Sequence, residues 1–536
     1  MYMKQSLGLA IATICLAGTA LGQQEAPTTA PGGASGSTPQ QPTGTSAPQP
    51  AAAPLTGAAE VTPQSAGAMG TSGGTNTLGT ATPPTALPPP ALPAVEAAPT
   101  GTVINPEAPL ETGPTPVKGK WNPVLYGFVE FDSLHDSTQS FNDVAGNASI
   151  QNPNVYTGKH GRTQFGGRNS RLGFKLSAPE MDGLKISGIL EMDFLGNQPG
   201  TPPSPAVSEN SYFTSPAFRM RHYAMKLENP YVDVLVGQYW QLFGWQTYFH
   251  PATVEIQGMP GQLFARSPQI RLSHTFKTDA VNLEVAVAAA RPPQRNADQP
   301  DAQAGLRLLL NQWKGVHTMG GAGTASDAAG IGISGVSRRF SVPEYTAVPA
   351  GNRTAKGWGL SMDVLLPVIP GTMEDRGNSL SLTGSFVTGQ GISDLYTGLS
   401  NGATASWPLP NPTGVATPAY VPDLDSGLIE FDNGGNAHAI KWQSFIGGIQ
   451  YYLPPKGHLW VALNYSHMQS SNILNYVSPA ARGGIFNKSE WYDANLFWDA
   501  TVATRFGVEY AHFKQTYADN STRGNDRVQA SGWLLF

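Results

Sequence analysis

Asp526-Arg527-Val528-Gln529-Ala530-Ser531-Gly532-Trp533-Leu534-Leu535-Phe536 alternates strictly between two faces. Val528, Ala530, Gly532, Leu534 and Phe536 share one; Arg527, Gln529, Ser531, Trp533 and Leu535 share the other. Chain ends fray unless something ties them down. An apolar-faced strand ending on an aromatic predicts the closing strand of a membrane barrel, paired to the first strand and facing lipid.

Working back from that strand, two-residue alternation continues to Trp121 and is the mark of half-buried strands. It predicts sixteen, starting near Leu125, Arg171, Leu184, Phe218, Tyr231, Gln269, Val281, Ala302, Ile331, Gly357, Leu380, Trp442, Leu459, Trp491, Thr501 and Arg527. An even number suits a bacterial single-chain barrel. Short connections (Pro179–Gly183, Asn229-Pro230, Thr278–Ala280, Pro454–Gly457, Trp498–Ala500) alternate with long ones (Asp136–Asn169, Leu195–Ala217, Trp240–Pro268, Thr388–Lys441). Short periplasmic turns and long outer loops should alternate in this way. Asn311 to Gly330 breaks the rule: it falls on the short-turn side yet runs through twenty Gly-rich residues.

Residues 1–22 read as a secretory signal, with Lys4, an apolar core from Leu7 to Ala20 and a small-x-small site at Ala20-Leu21-Gly22. Cys15 is the only cysteine and lies inside it, so the mature chain has no thiol for disulfides, thiolate catalysis or metal ligation. Residues 23–120 hold no aromatic residue and no Asp. A Pro/Ala/Thr/Gly tract of this kind buries too little apolar area to offset its ordering entropy, so a disordered periplasmic linker is expected. The barrel domain is then 121–536, an all-β, transmembrane antiparallel β-barrel holding all 11 Trp and all 21 Phe. Charged residues are only 13% of the chain, the net charge is −5, and there is no basic patch for nucleic acid.

In a barrel the polar parity of each strand must face the lumen. It carries Glu130 and Asp132 on the first strand, Arg171 and Lys175 on the second, Glu191 and Asp193 on the third, and Arg219 and Arg221 on the fourth. Asp233, Arg271, Glu284 and Arg307 follow. Opposite charges on neighbouring strands can simply be wall-filling pairs. Arginine ladders are also how pores favour anions, which makes Arg171, Arg219, Arg221 and Arg271 the pore-lining candidates, with Arg162, Arg168 and Arg266 adjoining. The aromatic segment from Trp240 to Pro268, with Phe243, Trp245, Tyr248, Phe249 and Phe264, would be an apolar liability outside. It is expected to fold inward as a constriction loop involving Trp240, Trp245 and Arg266, or else to pack at a subunit interface. Trp442, Trp460, Trp491, Trp498 and Trp533 read as interfacial girdle residues.

Several stretches resemble the DcaP-like family of trimeric outer-membrane porins: Tyr126-Gly127-Phe128-Val129, Gly161–Phe165, Arg168–Lys175, Phe218–His222, Gly237–Trp240, and Gln262–Arg266 with Gln269–Arg271. The likeness covers Trp121 to Arg291 well and the remainder in general character. It implies a sixteen-stranded trimeric channel for small anions, typically dicarboxylates, with Arg171, Arg219, Arg221 and Arg271 at the constriction. The family's periplasmic extension is helical and coiled-coil-like, unlike the Pro-rich tract here.

No catalytic constellation is legible. His222 and His274 lie on strands without a Ser or Asp partner at the rim, Gly320–Gly323 does not join a strand to a helix, and Asp423 with Asp425 is a weak calcium candidate. The sequence therefore predicts a non-enzymatic porin with no cofactor and no metal, in contact with outer-membrane lipid and passing small anionic solutes. An envelope-tethering protein using the Pro-rich arm is the alternative.

Overall fold

The computed structural model describes residues 120–145, 149–196, 213–256, 258–293, 298–320, 323–346, 348–397, 427–477 and 479–536. The predicted signal, nearly all of the predicted linker, and Asp423 and Asp425 lie outside the described residues.

The strands are β1 (Asn122–Asp136), β2 (Arg162–Gly166), β3 (Arg171–Ser177), β4 (Lys185–Asp193), β5 (Arg219–Glu228), β6 (Asp233–Trp240), β7 (Arg266–Lys277), β8 (Val281–Ala290), β9 (Asp301–Met319) and β10 (Gly323–Pro343). There follow β11 (Asn352–Ile369), β12 (Leu380–Gln390), β13 (Ile429–Phe431), β14 (Ala437–Ala439), β15 (Lys441–Tyr452), β16 (Leu459–Ser470), β17 (Phe486–Asp499), β18 (Thr504–Tyr517) and β19 (Thr522–Leu535). β13 and β14 form a separate hairpin. The others close into one antiparallel sheet in which β2 and β3 lie end to end against β1, giving sixteen wall positions. Closure leaves no free edge, as lipid requires.

The seam pairs β1 with β19 from Phe128↔Leu535 to Asp136↔Arg527. Beyond it, the Gly127 and Phe536 amides each donate to the other residue's carbonyl, at 2.9 and 3.1 Å. Parity follows the sequence: Val528, Leu534 and Phe536 are about half exposed, whereas Arg527, Gln529 and Trp533 are buried.

The Asn311–Gly330 segment is not a loop. β9 and β10 continue as a hairpin past the wall, kinked where Ala328 faces Lys314 while Ala329 faces Leu310. The unpaired residues between act as a bulge and bend the ribbon. The last residues of β9 lie inside the barrel: Val316, His317 and Thr318 are fully buried. Gln450 on β15 grips Thr318 twice, accepting from its amide at 2.9 Å and donating to its carbonyl at 2.8 Å. Tyr452 meets the Thr318 hydroxyl at 2.7 Å, and the Trp313 indole donates to the Pro367 carbonyl at 2.6 Å. The high glycine content that reads as a loop lets the ribbon bend and pack closely.

Candidate functional site: a charged wall facing a plugged lumen

Three insertions fill much of the interior. Loop 137–161 brings Phe141 onto Phe513 and is pinned where Arg168 forms a two-pronged, buried pair with Asp143. The β9–β10 hairpin enters from the end that carries the termini. Segment 241–265 folds inward from the opposite end. Its Val254 amide donates to Asn495 at 2.9 Å, its Glu255 pairs with Arg527 at 2.7 Å, and Arg527 also holds Asp136 at 2.8 Å. His317 of the hairpin meets the His250 carbonyl of this loop at 3.1 Å, so the two insertions touch.

The loop's aromatics rest on inward glycines. A Cβ at Gly332 would stand 2.7 Å from both Trp245 and Phe249, and one at Gly359 would stand 2.7 Å from Phe243. Ring and backbone are thus in contact, and larger residues would expel the rings. Elsewhere the three insertions reach β15 to β18, through Ala252 at Asn464, Thr318 at Gln450 and Phe141 at Phe513; the inward side chains of these strands are buried throughout, and Trp460 stacks on Phe497 at 4.0 Å. Trp442, Trp460, Trp491 and Trp533 are buried inside rather than in a girdle, which corrects that expectation; only Trp498 of the five is on the lipid side, half exposed. Parity places the other four inward, where the plug supplies their apolar partners.

The inward side chains that remain accessible lie along β3 to β9. The part nearer the 241–265 loop gathers Arg171, Arg219, Arg221 and Arg266 around Glu191 and Asp193. Arg219 chelates Asp193 with bonds of 3.0 and 2.6 Å. Arg221 bridges Glu191 at 2.6 Å and Asp193 at 3.0 Å. Arg171 lies 3.7 Å from Glu191 and over the Phe128 ring. The Tyr126 hydroxyl donates to Glu191 at 3.0 Å, so each acid is fully engaged. Arg266 instead stacks on Trp240, 4.9 Å from the ring centroid, and its buried Nη1 has no hydrogen-bond partner. Among the described residues no carboxylate lies within ion-pair distance of it. Four guanidinium groups thus face two carboxylates.

One extra residue in β5 helps build this cluster. Glu191 faces His222 and Met192 faces Met220, leaving Arg221 as a bulge, so Arg221 and His222 both turn inward and are buried. Strict alternation could not show this. Nearer the terminal end, Lys175, Lys226, Asp233, Tyr239, Arg271 and Glu284 line a cavity of about 240 Å3. Arg271 hydrogen-bonds only neutral acceptors, the Trp240 carbonyl at 2.5 Å and the Gln269 amide oxygen at 3.0 Å. Arg307 pairs with Glu284 and lies over Trp245.

The predicted site residues therefore divide. Arg171, Arg219, Arg221, Glu191, Asp193, Trp240 and Arg266 come together; Arg271 and Lys175 form a second station with Lys226, which sequence reading passed over because the Arg221 bulge moves the inward parity of β5 from odd to even positions. Glu130 and Asp132 point inward but are sealed, 2% and 1% exposed, the latter receiving bonds from Asn169 and Ser531. Trp245 packs on β9 and β10, over Gly305 and Gly332, with Arg307 above its ring. Among the described residues there is no cluster of His, Cys, Asp and Glu arranged to hold a metal ion.

No protein-family model matches the chain, and no curated protein matches it. Solved structures do. The barrel is similar to the outer membrane channel DcaP of Acinetobacter baumannii, with a TM-score of 0.54 at 15% identity over 78% of this chain and 97% of that one. An anion-selective porin from Comamonas acidovorans matches at TM-score 0.43 and 11% identity, over 78% of this chain and all of the other. The resemblance to DcaP-like porins seen in the sequence thus has its counterpart in the fold.

Proposed function

We propose that the chain is an outer-membrane porin through which small hydrophilic solutes diffuse passively, with anions favoured. The observation that carries this reading is the Arg266 guanidinium, stacked on Trp240 with no acid among the described residues within 4.0 Å, in a cluster where Arg171, Arg219 and Arg221 already satisfy both nearby carboxylates. An incoming carboxylate or phosphate can take the fork that no protein acid occupies. The station around Lys175, Lys226 and Arg271 would receive it next. Arg171 and Lys175 are four residues apart on one strand, roughly 13 Å at strand spacing. In this reading the terminal end faces the periplasm, residues 1–22 direct export, 23–120 form a periplasmic linker, and the protein is trimeric like the porins it resembles.

Planar-bilayer recording under a salt gradient tests the proposal. The reversal potential should show anion preference, and Arg171→Ala with Arg266→Ala should weaken it. A unit charge about 7 Å from the path is worth about 0.6 kcal/mol in water and acts with opposite sign on anion and cation, so each loss should lower anion over cation permeability roughly sevenfold. Cation preference, or a silent membrane, refutes it.

A further inference from the structure

The lipid-facing wall carries a hollow that the pore does not explain. On β8, β9 and β10 the outward side chains shrink over two successive levels. Ala289, Ala302 and Ser337 are aligned at one, and Val287, Ala304 and Gly335 at the next. Ile270 and Leu272 on β7 flank it on one side, Trp358 and Leu360 on β11 on the other, all about half exposed. The result is a groove of about 740 Å3 opening on the surface that touches hydrocarbon.

One level further from the terminal end the outward positions become cationic. Arg339 and Lys356 are direct cross-strand partners. Arg291, whose amide donates to the Pro268 carbonyl at 2.8 Å, occupies the same level beyond β8. Strand spacing makes the row about 14 Å wide. Arg339 lies 3.4 Å from Asp298 and stays 46% exposed. Among the described residues, neither Lys356 nor Arg291 has an acid within 4.0 Å. Like charges directly opposite one another on a sheet are unfavourable; Asp298 answers Arg339 alone, so Lys356 and Arg291 leave room for a further anion.

We infer that this face binds a phosphorylated membrane glycolipid, with an acyl chain in the hollow and phosphate across Arg291, Arg339 and Lys356. The charge row selects the anion, and the apolar groove one level below it selects a lipid over free phosphate, which would leave the groove unfilled. The inference rests on the membrane orientation proposed above, which puts the row at the outer leaflet.

The test uses the full-length folded protein, equilibrated with lipid A or with phosphatidylcholine in mixed micelles, delipidated, and weighed by native mass spectrometry. Lipid A should be retained and phosphatidylcholine stripped. R291Q with K356Q should lower lipid A retention roughly thirtyfold, and Ala302→Trp, which fills the groove and leaves every charge in place, should also release it. Unchanged single-channel conductance will show that both variants are folded. Equal retention of phosphatidylcholine, retention that survives both variants, full displacement by inorganic phosphate, or a disulfide joining two copies through Ala302→Cys overturns the inference. Lipid A binding with no conductance in any form would leave it standing and remove the porin reading instead.

Discussion

A guanidinium stacked on an indole keeps its charge while its apolar surround strips its water, so it attracts anions more strongly than a hydrated side chain does. That is the situation of Arg266 over Trp240, and it separates Arg266 from Arg219 and Arg221, whose charge is spent on Glu191 and Asp193. Asp432, in the β13–β14 hairpin outside the wall, shows the converse. The His438 ring at 2.8 Å holds its carboxyl below the ordinary range, helped by the amides of Asn436 and Gly434. A carboxyl lowered on folding stabilises above its unfolded value, about 3.9, and that contribution disappears as pH falls through the folded value. Hydrogen exchange at the hairpin amides should therefore stay slow at pH 5 and accelerate in strong acid. Asp432→Asn should show the faster exchange already at pH 5, because it removes the charge and keeps the shape.

At the scale of elements, two insertions from opposite ends share the lumen, and each has its own anchor. Arg527 joins the 241–265 loop, through Glu255, to the seam, through Asp136, with all three buried. Removing the guanidinium takes the cation away from two buried carboxylates, although Asp136 keeps the Asn525 amide at 2.8 Å; breaking a buried pair costs about 3–5 kcal/mol. Arg527→Ala should lower the urea midpoint and let the loop leave the lumen. The β9–β10 hairpin is held by Gln450 and Tyr452. Deleting residues 314–327 should raise single-channel conductance while leaving the wall strands paired; unchanged conductance would place the limiting section elsewhere. Sequence reading found all sixteen wall positions because side-chain period is a local property, but it read β2, Arg162–Gly166, as part of the Asp136–Asn169 loop because five residues are too few to show a period. It missed the hairpin because glycine-rich segments look alike whether they turn or pack, and it missed the Arg221 bulge because one inserted residue leaves composition untouched.

Over the barrel, the outer face was legible from alternation on strands without a bulge, since lipid imposes one rule on each; β5 escaped, its outward positions changing from Met220 to Tyr223 and Met225. The inner face was not legible in that way. Whether an inward residue meets water or a plug depends on contacts far apart in sequence, such as Phe141 with Phe513 or Val254 with Asn495. Trp460 and Arg171 obey the same parity, yet one is packed under rings and the other borders open space. The cation cluster was readable as a set of residues, whereas the unshared charge of Arg266 appears only once Trp240 lies beneath it.

The packing of rings against one half of the barrel has a geometric consequence. A solute passing as proposed meets a slot with one polar bank and one rigid, oily bank, so it travels lengthwise and gives up tumbling before it enters. Slender, flexible ions should therefore outrun compact branched ones of equal charge and mass, a ranking set by shape that would persist after every salt-dependent preference had been screened away.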